Sequence, residues 1–91
     1  NLEALADAVS GSKAWDAGSI ANGAEEALEI TVEGAALGDF VLSSLSIDVA
    51  DLVLSGAVTA ADTVTLVLAN NSGGAVNLDA AIAHCMVIKK P

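Results

Sequence analysis

The chain has 91 residues, enough for one small domain, and 54% of them are apolar. Twelve acidic residues face only Lys13, Lys89 and Lys90, for a net charge of −9. Such a surface repels phosphate backbones, so nucleic acid is excluded as a partner. No apolar stretch reaches the roughly 20 residues of a membrane span.

Its apolar residues are mostly Ala, Val, Leu and Ile, and Trp15 and Phe40 are its only aromatic residues. A small domain buries a modest share of its surface. Part of this aliphatic surplus is therefore expected to face another subunit. Cys85 is alone, which rules out an intrachain disulfide and leaves a small core residue as its expected role.

Residues 2–9 carry helix formers, with Leu2, Leu5 and Val9 on one stripe. Eight residues are too few for a stable isolated helix. We read residues 1–12 as an N-terminal arm, with Leu2, Leu5 and Val9 as its docking side chains. Ser10-Gly11-Ser12 reads as the break before a domain over 13–91. Asn1-Leu2-Glu3-Ala4 has none of the positive charge that opens a secretory signal.

Ala14 to Ile20 reads as a short edge strand, with Trp15 covering one end of the core. Asn22-Gly23 is a turn dipeptide, since both residues tolerate positive φ. From Glu25 to Glu33 the pattern alternates: Leu28, Ile30 and Val32 on one face, Glu29, Thr31 and Glu33 on the other. This is a half-buried antiparallel strand whose glutamates form a solvated face. Gly34 to Gly38 then makes a compact turn into Phe40–Val49.

Phe40–Val49 is apolar on both faces, as is the last run, Ala80–Lys90. A strand of that kind is either central in a sandwich or in contact with another subunit. The switch of face near Ser43-Ser44 predicts a bulge. Phe40, like Trp15, is expected in the core. Between these runs lie Leu52–Val58, with Gly56 marking a close backbone approach, and Thr63–Leu68, with Val64, Leu66 and Leu68 inward. Asn70-Asn71-Ser72-Gly73-Gly74 is a short flexible loop, and Ala75–Leu78 a short strand. Seven short strands at this spacing predict an all-β fold: an antiparallel, jelly-roll-like β-sandwich.

No constellation carries chemistry. His84 is the one histidine, and nothing places a serine and an aspartate beside it for a triad. Zinc needs more His or Cys ligands, and no glycine pattern fits a phosphate loop. Asp39, Asp48, Asp51 and Asp62 stand at strand ends, where short carboxylates satisfy turn amides. Neither an enzyme nor a cofactor is expected.

Four segments in register carry a family resemblance: Trp15–Gly23, Gly34–Leu42, Val58–Val64 and Asn70–Leu78, closed by Val87-Ile88-Lys89-Lys90. In that order they resemble small virion proteins of tailed bacteriophages, of the capsid decoration (cement) or head-fibre β-domain type. The resemblance spans residues 14–90. It implies a jelly-roll sandwich, a homotrimer, attachment to the major capsid protein on the virion surface, and no enzymatic activity. Within such a trimer, Val41, Leu45, Ile47, Ile82, His84, Met86 and Ile88 are the expected subunit interface. The family often places alternating arginines in the last strand, where this chain has His84 and Met86. The alternative reading is a head- or tail-fibre module binding a host receptor or glycan.

Overall fold

The computed structural model describes residues 8–91. Among them there are eight strands and no helix. In chain order these are β1 (Ala8–Trp15), β2 (Gly18–Ile20), β3 (Glu25–Thr31), β4 (Phe40–Leu45), β5 (Val53–Ala60), β6 (Thr63–Ala69), β7 (Val76–Leu78) and β8 (Ala81–Ile88). All pairings are antiparallel: β1–β8–β4 form one sheet, β3–β6–β5 a second, and β2–β7 a two-stranded ribbon.

The pairs β1–β8, β2–β7 and β3–β6 are nested, with β4 and β5 innermost. These nested antiparallel pairs make a β-sandwich, with β4 and β5 in different sheets, beside β8 and β6. The ribbon β2–β7 carries the chain between the two sheets and closes one end of the sandwich. Buried Trp15, Ile20 and Leu78 fill that end.

The two sheets stack face to face, with β1 over β3 and β4 over β5. Their inner faces supply Ile30, Val58, Val64, Leu66, Leu68, Ala83, Cys85 and Val87, all buried. Val64, Leu66 and Leu68 point inward as the alternation of β6 requires, because successive side chains of a strand leave on opposite faces. At Gly56 the close approach is real. A Cβ there would lie 2.5 Å from Leu66 Cδ2 and 3.1 Å from Val41 Cγ1.

Three expectations need correction. Residues 8–12 are not an arm and a break: they begin β1, paired residue by residue with β8 from Ala8↔Ile88 to Ser12↔His84. A ready-made partner strand draws residues 8–12 into the sheet, so the domain boundary at residue 12 falls inside a strand. Val9 accordingly packs against the core, while Leu2 and Leu5 lie outside the described residues. The expected first strand is two, β1 and β2, which raises the number from seven to eight. No bulge interrupts β4, whose register with β8 is regular from Phe40↔Ile88 to Leu45↔Ala83. Among the described residues the register shift lies in β5, between Val58 and Ala60.

At the end opposite the ribbon, the Ala61-Asp62 turn docks on the loop after β3. Asp62 N donates to Ala35 O at 2.9 Å, and Val32 N donates to Asp62 O at 2.8 Å. Gly34 N donates to Asp62 Oδ1 at 2.9 Å, which accounts for an aspartate held at φ 60°.

Candidate interaction surface

The outer face of the β1–β8–β4 sheet is the most distinctive surface of the molecule. The register sets out its rows across the three strands: Ala8–Ile88–Phe40, Ser10–Met86–Leu42 and Ser12–His84–Ser44. A fourth row follows, with Ala14 opposite Ile82 and Ser46 bonded to it through its backbone N and its Oγ. Phe40 is 59% exposed, Leu42 58%, Ile82 42% and Met86 40%. These four are most of the large exposed apolar side chains among the described residues, and they share one face. Between the apolar rows lies an open depression of about 610 Å³, lined by Ser10, Ser12, Leu42, Ser44, His84 and Met86 among others.

Electrostatically this face is blank. Strands β1, β4 and β8 contain no Asp or Glu, and their single cation, Lys13, turns from the face to donate to Glu29 O at 3.0 Å. The acidic side chains of the described residues stand on β3 (Glu25, Glu26, Glu29) or in the connections. A chain of net charge −9 therefore keeps one sheet face free of carboxylate.

The expected interface residues fall into two groups. Ile82, His84 and Met86 are exposed on this face, and Ile88 is half-buried on it. Val41, Leu45 and Ile47 are not on it: they pack against the core, Val41 opposite Val87 and Leu45 opposite Ala83. The correction follows from parity. The even-numbered positions of β4 point outward, so Phe40 and Leu42 take the places expected of Val41 and Leu45, and Phe40 is not a core residue. The signal was in the sequence as the pairing of Phe40 with Leu42, but it does not say which parity faces water. Register with β8 decides that, because Ala83, Cys85 and Val87 are the buried parity there.

Cys85 is a core residue, as expected, and burial pushes its thiol up from the ordinary range. A raised thiol is a poor nucleophile, and His84, next in sequence, points to the opposite side of the sheet. The sheet thus separates the two side chains that a nucleophile–base pair would have to bring together.

Of the four strand-end aspartates, Asp39, Asp48 and Asp62 serve the backbone. Besides Asp62, Asp48 Oδ1 accepts from Ala50 N at 3.0 Å. Asp39 Oδ2 accepts from Ala36 N, also at 3.0 Å. Among the described residues no cluster of His, Cys, Asp or Glu is placed to hold a metal ion.

The loop after β6 is more constructed than its composition implied. Asn70 is fully buried; its Nδ2 donates to Ile20 O at 2.7 Å and to Gly74 O at 2.8 Å. Its Oδ1 accepts from Ser72 N at 2.9 Å and Ser72 Oγ at 2.7 Å. With Gly73 N donating to Asn22 Oδ1 at 3.0 Å, this end of the sandwich is a bonded cluster rather than a free loop tip.

No protein-family model matches this chain, and no curated protein matches it either.

Proposed function

We propose that this protein is a non-enzymatic structural protein of a tailed-phage virion. On this reading it is a homotrimeric decoration or cement protein that binds the major capsid protein on the outside of the head. The observation that carries the proposal is the carboxylate-free apolar face beside an otherwise acidic surface. A small jelly-roll sandwich with one such face is suited to assembly with copies of itself, leaving its acidic strand and loops for a basic docking surface. The resemblance of residues 14–90 to phage virion proteins supplies the setting.

Mechanically, an oligomer that binds assembled shell and not dissociated subunits stabilises the shell by mass action. Several weak contacts per oligomer add avidity without any single strong one. The test is to image shells of the parent phage with and without the protein and to measure their disruption temperature. Occupied, symmetry-related sites and a raised disruption temperature are expected. Empty sites or an unchanged temperature overturn the reading.

A second reading, a fibre module for a host receptor or glycan, draws on one observation. Phe40 is an exposed aromatic ring on the same face as the serine-lined depression, and sugars stack on exposed aromatic faces. A glycan-array signal that Phe40→Ala abolishes favours this reading over the first.

A further inference from the structure

We propose that the outer face of the β1–β8–β4 sheet is the surface through which copies of this chain bind one another. Its contact is made by Phe40, Leu42, Ile82 and Met86 around a central row of Ser12, His84 and Ser44 that carries no carboxylate. This deepens the self-assembly part of the function proposed above and is independent of the capsid part.

Three features identify the occupant as a second copy. The first is charge. Two molecules each carrying −9 repel wherever their carboxylates meet. Like charges brought into contact near a protein surface oppose association strongly, because little water is left to screen them. The three strands of this sheet contain no carboxylate, so two copies can close on it without that penalty. The outer face of the other sheet lacks this property, since β3 displays Glu25 and Glu29 there.

The second is the kind of surface. A basic partner would be drawn to the acidic strand and loops and gain nothing from this face. A partner for it must itself be apolar and nearly uncharged, and the chain carries such a surface already. The third is the polar content of the centre. Serine hydroxyls and an imidazole ring offer both donors and acceptors, so the central row can be covered with its polar groups hydrogen-bonded across the contact.

Sedimentation velocity on the full chain tests this at concentrations from 1 to 100 μM (roughly the range in which small oligomers separate from monomers). The unmodified protein is expected to sediment as an oligomer. Leu42→Glu and Met86→Glu are expected to weaken association at least tenfold, each placing a carboxylate on an outward position of the face. Val53→Glu is the control. Val53 is 57% exposed on β5 of the other sheet, so it adds the same charge to an equally apolar site off the face. Far-ultraviolet circular dichroism confirms that each variant is folded, and Ser44→Glu replaces either variant that is not.

A monomer throughout that range overturns the proposal, as does an oligomer unaffected by Leu42→Glu, Met86→Glu and Ser44→Glu. Dissociation by Val53→Glu alone also overturns it and moves the contact to the other sheet. The capsid reading fails separately. An oligomer that Leu42→Glu dissociates but that binds no shells leaves this face standing. A monomer that binds shells does the reverse.

Discussion

The Asp39 carboxylate and the Lys89 ammonium lie 2.6 Å apart, joining the residue before β4 to the residue after β8. Their strands are already neighbours, with Phe40 opposite Ile88, so the ion pair locks a register that the ladder begins. Asp39 also accepts from Lys90 N at 3.0 Å, and its side chain is fully covered. Lys89 reaches on to Gly34 O and Lys90 Nζ to Leu37 O, tying the last residues to the 34–38 loop. These contacts sit at the Phe40 end of the apolar face and hold it in place.

The first prediction concerns acid. The Lys89 hydrogen bond, then the Lys90 backbone amide, hold the Asp39 carboxyl far below its ordinary 3.8. A folded-state value below the unfolded one gives stability that is present above the unfolded value and lost as pH falls. Urea midpoints are therefore expected to be level near neutrality and to fall progressively below about pH 4. Asp39→Asn is expected to lower the midpoint at pH 7 and to flatten this acid limb. An equally steep limb in the variant would assign the acid sensitivity to other carboxylates.

The Asn70 cluster gives a second prediction. Asn70→Ala removes both donors and both acceptor contacts at a fully buried site, leaving Ile20 O and Ser72 N without that partner. A loss of about 2–4 kcal/mol is expected from denaturant unfolding. Asn70→Asp is not expected to rescue it, since a carboxylate cannot donate to Ile20 O or Gly74 O.

Gly56 provides a third. In Gly56→Ala the new methyl must displace Leu66, and a loss of about 1–3 kcal/mol is expected. Shortening the obstructing side chain should relieve part of the clash. The double variant with Leu66→Val is expected to lose less than the sum of the two single losses, a coupling that a double-mutant cycle measures.

Cys85 and His84 test the parity of β8. In the native protein Cys85 should resist a thiol reagent at pH 8 and react on unfolding, because the thiol is buried and raised. In the isolated subunit, a cysteine introduced as His84→Cys should react at once. Similar rates at the two sites would mean that the face assignment of β8 is wrong.

Much of this architecture is legible along the chain. The alternation in β3 and β6, the Asn22-Gly23 turn and the Asp48 turn each depend on residues within a few positions of one another. Local chemistry therefore suffices to place them. β1 is different: nothing in Ala8–Ser12 marks a strand, which forms because β8 offers a partner 72 to 80 positions away in sequence.

The apolar face shows the same division. The sequence by itself determined that β4 and β8 carry apolar side chains on both sides, that the chain is acidic, and that few aromatic residues serve its core. It could not determine which side faces water, because two-sided strands have no polar parity to break the tie. Only the stacking of β4 over β5 and the shared register of β1, β8 and β4 settled that. They buried Val87, packed Val41 and Leu45 against the core, and left Phe40, Leu42, His84 and Met86 on one surface free of carboxylate.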